Sequence, residues 1–299
     1  MNSFSLILST IKKLIKKGFK MSIKPNKLTT KVMSDSELFG VAPSIFADSP
    51  VESVSSQYHF IKTSDLLDIF RESGYFPILG GESKSRTLEG QPYVKHIIQF
   101  RSLENLLKTP VDGLYYDICL KSSHNKTSAF TLELSCFRMV CSNTLTVSTD
   151  QLLHRRIIHK GFQSSKVKMA IEEMVNYIPT VEEEFEDMKN TILSDIESLA
   201  LSKTVIDFRF DTSKHEINPK ELLAINREAD SAQTAFNIYN RLQESVLNGG
   251  IKLKDKLSQK VIKSKSITAI DEKIRLNKLL HKTMQNLMSL KSEHYQIAA

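Results

Sequence analysis

A chain of 299 residues with 40% hydrophobic content can bury a sizeable core, as one large domain or two smaller ones. Ten glycines and eight prolines exclude collagen-like and low-complexity classes, and no run of about 20 apolar residues exists to span a bilayer. The formal charge of +7 is concentrated in the first 31 residues, which hold eight lysines and no acid, so the body is close to neutral. Within that body, residues 172–199 carry nine acids, and residues 251–291 carry ten lysines and Arg275. Such blocks can pair with each other, within a chain or between subunits, or be left free for phosphates. The three cysteines, Cys119, Cys136 and Cys141, are an odd number in a long chain, which favours reduced thiols and a cytoplasmic setting.

In chain order, residues 1–44 read as a basic arm and linker. Phe4, Ile7, Leu8, Ile11, Leu14, Ile15 and Phe19 fall at helical spacing with five lysines mostly off that stripe, a basic amphipathic helix. It could lie on an anionic membrane, add counterion release on DNA, or be an extension upstream of Met21. Residues 21–57 read as a loose lead-in.

A sheet-rich core is expected over 45–165. Tyr58–Lys62 reads as a strand, Asp65–Ser73 as a short helix stopped by Gly74, and Tyr75–Leu79, Val94–Phe100, Tyr115–Lys121, Ala129–Ser135 and Thr144–Val147 as strands. A helical region follows over 166–299. Helices are expected at Val167–Tyr177, interrupted by Pro179, at Val181–Leu201, at Ala229–Leu247 ending on Gly249-Gly250, and at Asp271–Glu293. The segment VIDFRF at 205–210 reads as a short strand. Sheet first and helices later is an α+β order: an antiparallel sheet with packed helices in the N-terminal half and a mostly helical C-terminal half.

Chemical motifs are sparse. Gly80-Gly81 and Gly249-Gly250 lack the context of a phosphate-cradling loop, and there is no HExxH and no CxxC, so no metal, cofactor or catalytic set is assigned. Arg138 sits among Phe137, Met139 and Val140, and a guanidinium there demands a partner, either an internal carboxylate such as Glu133 or an external anion. Residues 151–171 bring Arg155, Arg156, His159 and Lys160 together, and with Lys84, Arg86, Lys95 and Arg101 they suggest a positive track. Tyr93, Phe100, Phe130 and Phe162 are the candidates for base stacking beside it.

The stretch SSHNKTSAFTLELSCFRMVCSNTL, followed by HKG, resembles the signature of a domain-of-unknown-function family of phage- and plasmid-like proteins, whose form is approximately SHDGTSAYRL…FRLVCSNGL…HKG. Further matches are the HIIQFR run at 96–101, TAFNIYNRLQESVLNGG and DEKIRLNKLLHKTM, so the resemblance covers about residues 45–285. It carries over His124, Arg138, Cys141, Asn143, His159, Lys160 and Gly161, with Arg86, His96, Asn240, Gln243 and Asn277 in the outer elements. Asn125-Lys126 stands where Asp-Gly is usual. Membership implies a mobile-element setting and a likeness to single-strand annealing proteins, with a sheet–helix core and oligomeric rings.

The expectation is a non-enzymatic protein of a mobile element that binds single-stranded DNA or RNA, of an annealing or recombination-accessory type. Arg86, Lys95, Arg101, Arg155, Arg156 and Lys160 would hold phosphates, and His124, Arg138, Asn143 and His159 would organise the groove. The C-terminal helices would mediate homo-oligomer formation, and residues 1–20 are the candidate membrane contact. Two alternatives stay open: a hydrolase or nuclease built on His124, Cys141, Asn143 and His159, and an interaction protein acting on host defence.

Overall fold

The computed structural model describes residues 31–53, 60–107, 114–138, 144–146, 154–157 and 163–298. The amphipathic arm at 1–20, Cys141, Asn143, His159, Lys160 and Phe162 lie outside the described residues, as does part of the strand expected at Tyr58–Lys62, whose described end is neither helix nor strand.

Four strands, β1 (Tyr75–Glu82), β2 (His96–Ser102), β3 (Leu114–Ser122) and β4 (Phe130–Arg138), form an antiparallel meander. Two short strands, β5 (Thr144–Thr146) and β6 (His154–Ile157), both pair with β4. Ser135 faces Thr146 and Glu133 faces His154, so β5 and β6 are two pieces of one interrupted lane along the same edge. Side chains alternate across a strand. One face of the sheet is accordingly apolar, with Ile98, Phe100, Ile118, Leu120, Leu132 and Leu134 all buried.

Helices cover that face. They are α1 (Asp35–Val41), α2 (Thr63–Glu72) and α4 (Ser164–Asn190), while α3 (Leu103–Leu107) is a single turn after β2. Phe70 of α2 stacks on Phe100 with ring centroids 3.9 Å apart. The helical half adds α5 (Asp195–Arg209), α6 (Ala235–Asn248) and α7 (Ile270–Ala298). Twelve residues of α6 are buried, so it is enclosed on every side by its neighbours. One apolar cluster runs from Leu38 to Met284, so the sheet-rich and helical regions share a core across residue 165. The α+β expectation holds. Among the described residues, no helix is long and apolar enough to cross a membrane.

Four local expectations are corrected. The lead-in contains α1, fixed by a capping box in which Ser34 and Glu37 satisfy each other's backbone N–H groups, with Leu38 buried against the sheet. Pro179 does not break its helix. It lies on the exposed side of α4, where water can satisfy the carbonyl its ring leaves without a donor. Residues 205–209 are the last turns of α5, not a strand: the β-branched run buries Val205 and Ile206 in the helix packing, and tertiary contacts override propensity. The start of the basic block at 251–291 is not helical. It forms a small sheet of β7 (His215–Glu216), β8 (Lys252–Asp255) and β9 (Val261–Lys263).

Gly249 closes α6 with φ of +74°, and a Cβ there would lie 2.6 Å from the Lys265 carbonyl carbon. Both the dihedral and the backbone contact exclude a side chain. Gly249→Ala is expected to lower stability by about 1–3 kcal/mol, read as a drop in thermal midpoint. A neutral result would show that the loop relaxes freely.

Candidate nucleic-acid interface

The second face of the sheet is polar, and on β2, β3 and β4 its Gln99, Arg101, Asp117, Cys119, Thr131, Glu133 and Ser135 are buried. Successive rungs across β2, β3, β4 and the β5/β6 lane run Ile97–Lys121–Thr131–Arg156, Gln99–Cys119–Glu133–His154 and Arg101–Asp117–Ser135–Thr146. Arg101 is 1% exposed and grips Asp117 with two hydrogen bonds, Nε to Oδ1 and Nη2 to Oδ2, each 2.8 Å. Gln99 Nε2 donates to Asp117 Oδ2 at 2.6 Å, and the Arg101 guanidinium lies 3.7 Å from the Tyr115 ring centroid. Burial pushes the Asp117 carboxyl up, against the pull of Arg101 and Gln99.

The last helix completes this face. Lys278 of α7 donates to Glu133 at 3.1 Å, and Asp271 in its first turn receives both Lys121, at 3.1 Å, and Lys95. Burial raises the Asp271 carboxyl, the hydrogen bonds from the two lysines outweigh it, and its pKa falls below the usual aspartate value. Cys119 lies 2.9 Å from the Ser135 hydroxyl, and burial pushes its thiol up to about 12, so it is a protonated core residue and not a nucleophile.

Strand direction sorts the loops. The turn after β1, the turn after β3 and the exit of β6 all emerge at one end of the sheet, because Glu82, His96, Ser122, Phe130 and Ile157 share it. Lys84, Arg86 and Lys126 are exposed in those turns, and Arg156 is exposed one rung below. In sequence His159 and Lys160, which lie outside the described residues, come two and three positions after the last residue of β6.

Beneath this end lies a histidine pair. His96 and His124 are buried, with ring centroids 5.0 Å apart. Their Nε2 atoms lie 3.0 and 3.5 Å from the Thr63 hydroxyl, at the start of α2. His96 Nδ1 is 3.2 Å from the Val94 carbonyl, which can only accept, so the proton is assigned to Nδ1. Nε2 then accepts from the Thr63 hydroxyl, which in turn accepts from His124. Burial, and then the neighbouring His124, push the His96 pKa down to about 3.

Of the residues expected at the site, the structure leaves Arg86 and Arg156 exposed and Arg155 half-exposed, paired with Glu173 at 2.6 Å. Lys95 is held by Asp271, and Arg101 and His124 are internal. The backbone of Arg138 ends β4, and its side chain lies outside the described residues; Glu133, the carboxylate considered for it, accepts from Lys278 at 3.1 Å. Two stacking candidates are corrected: Phe100 and Phe130 are 0% exposed in the apolar core and cannot reach a base, whereas Tyr93 is partly exposed in the turn before β2. Sequence reading gave no site role to Gln99, Lys121 or Asp271, named Asp117 only as a neighbour for the alternative catalytic cluster, and took Thr63 only as a helix cap. The signal for Asp117 was an acid alternating with apolar residues at the centre of a strand.

A family profile described as "Domain of unknown function (DUF932)" matches residues 50–280. The chain belongs to the DUF932 family. Its relatives include the UPF0380 protein YfjQ of Escherichia coli (strain K12), 27% identical over 253 residues covering 85% of this chain and 90% of that protein. The UPF0380 protein YafZ of the same organism is 28% identical over 244 residues, 82% and 87% of the two chains. No solved structure matches. In this DUF932 chain the signature residues group into internal networks. His96 and His124 share Thr63, Gln243 of α6 donates to Asn277 of α7 at 3.0 Å, and Asn240 donates to the Phe236 carbonyl at 2.7 Å. These buried polar side chains orient the turns and fix the α6–α7 packing.

Proposed function

We propose that this DUF932 protein is a non-enzymatic, single-stranded nucleic-acid-binding protein of a mobile element, of an annealing or recombination-accessory type. The observation that carries the reading is the exposed cationic end of the sheet, where Lys84, Arg86, Lys126 and Arg156 share one side with the partly exposed Tyr93. Spaced cations on a rigid sheet end suit phosphates, and a nearby ring suits a base, which is how sequence-indifferent single-strand binders work. The buried histidine pair supports that end from below, while the Arg101–Asp117 pair clamps β2 to β3 toward the other end of the strands.

Fluorescence anisotropy with labelled single-stranded and duplex oligonucleotides tests this, on the whole chain and on a chain starting at Met33. Single-strand-preferring binding that weakens with salt and survives loss of the arm is expected. Replacing Arg86 and Arg156 with Gln should weaken binding evenly across sequences and reduce the logarithmic salt slope by about 1.4, two phosphates at about 0.7 each. Binding that disappears with residues 1–32 would reduce the effect to a polylysine arm and overturn the reading.

A further inference from the structure

The β8–β9 hairpin is a charged projection with no role in the site above. Residues 252–265 hold Lys252, Lys254, Lys256, Lys260, Lys263 and Lys265 against a single acid, Asp255. The register sets Lys252 directly opposite Lys263 and Lys254 opposite Val261, on one exposed face. Like charges directly opposite each other weaken a ladder, and a bound polyanion relieves that repulsion. The acid is already occupied: Asp255 Oδ1 accepts from the backbone N–H groups of Leu257 and Ser258 and from the Ser258 hydroxyl, which fixes the turn.

The two strands use their lysines differently. On the β8 side Lys252 reaches Glu221 at 3.2 Å, Lys254 reaches Glu216 at 3.7 Å, and Lys256 donates to the Thr212 carbonyl at 2.8 Å. Lys260, Lys263 and Lys265, at and beyond the turn, are exposed and make no ion pair among the described residues. At the tip Leu257 is 96% exposed, with Val261 and Ile262 more than half exposed on the strand that follows. Cations beside exposed apolar side chains match phosphates beside bases. Position links this hairpin to the sheet: Lys265 precedes Asp271 by six residues, about 20 Å of chain at most, and Asp271 rests on Lys95 and Lys121 at the cationic end.

We infer that the hairpin is a second contact for the same single strand, with Lys260, Lys263 and Lys265 on phosphates and Leu257 against a base. The inference rests on the nucleic-acid reading above. It makes the binding surface bipartite, one part on each half of the chain, so that a strand held by the sheet end is steered past the hairpin.

The test sets two variants of the full chain side by side. Replacing Lys260, Lys263 and Lys265 together with Glu should weaken single-strand binding at least tenfold and lower the salt slope by about 2, three phosphates at about 0.7 each. Exposure of all three makes an unchanged thermal midpoint the expected control. On the unmodified protein, a saturating oligonucleotide should protect those lysines from acylation and leave exposed Lys203 reactive. If the triple variant binds like wild type while the Arg86/Arg156 variant weakens, the hairpin inference fails and the function stands. If neither weakens, both fail. Protection by phosphatidylserine vesicles but not by oligonucleotide would overturn the inference in favour of a lipid-headgroup surface.

Discussion

Asp117→Ala is expected to cost about 3–5 kcal/mol, a large part of the roughly 5–15 kcal/mol that holds a domain folded. The substitution leaves the Arg101 guanidinium buried at 1% exposure without the carboxylate that receives two of its N–H groups, and it strips Gln99 of its acceptor. A single missing partner is worse than the loss of both. The double variant Arg101→Met with Asp117→Leu should therefore recover most of the loss, because it removes the charge along with its counterpart. Urea midpoints at constant slope measure both. An Asp117→Ala change within 1 kcal/mol of wild type would mean that water reaches this face and that the pair is not internal.

Acid should unfold the protein earlier than its carboxylates alone dictate, and His96 is the reason. Its pKa falls from an ordinary value near 6.5 to about 3 in the fold. Between those values the unfolded chain binds a proton that the folded chain refuses, so stability rises with pH there. The contribution is complete above about pH 6.5 and is lost on acidification at about 1.4 kcal/mol per unit, approaching roughly 5 kcal/mol near pH 3. Between pH 6.5 and 5 ordinary carboxylates have not begun to titrate, and the difference between wild type and His96→Asn separates His96 from the other seven histidines. There the loss should be about 2 kcal/mol greater in wild type than in His96→Asn. The slope is the readout, separate from whatever the substitution costs at neutral pH. Equal slopes in the two proteins would show that the imidazole accepts a proton in place.

Much of the fold was legible because the local signals and the tertiary solution agree. Val94–Phe100, Tyr115–Lys121 and Ala129–Ser135 read as strands by composition and overlap β2, β3 and β4, and Gly74 and Gly249 mark real stops with positive φ. What failed has physical causes. Residues 205–209 and 252–263 have misleading local texture: the first is β-branched but wound into α5, the second lysine-rich but laid out as a hairpin. The polar face was half visible. Arg101 could be singled out as a cation in an apolar strand, yet its partner lies on the next strand, and only the register of β2 against β3 brings Asp117 opposite. In the same way Lys278 and Glu133 are 145 residues apart, and nothing local joins them. His96 and His124 were both noted, but Thr63, the hydroxyl between them, looked like an ordinary helix start. The exposed cations Arg86 and Arg156 were read as charge, and their placement on one end of the sheet follows from strand order, which composition does not contain.

The long reach of α7 has a consequence for how the chain is made. Synthesis delivers the sheet first, with Lys95, Lys121 and Glu133 already in place, and their counterparts follow much later, Asp271 150 residues after Lys121 and Lys278 145 residues after Glu133. Until then the nascent protein carries a sheet with one face awaiting its counter-charges and an apolar cluster lacking Leu276, Leu280 and Met284. Contacts so distant in sequence close late and slowly. The nascent chain without α7 is therefore expected to aggregate more readily than the finished protein.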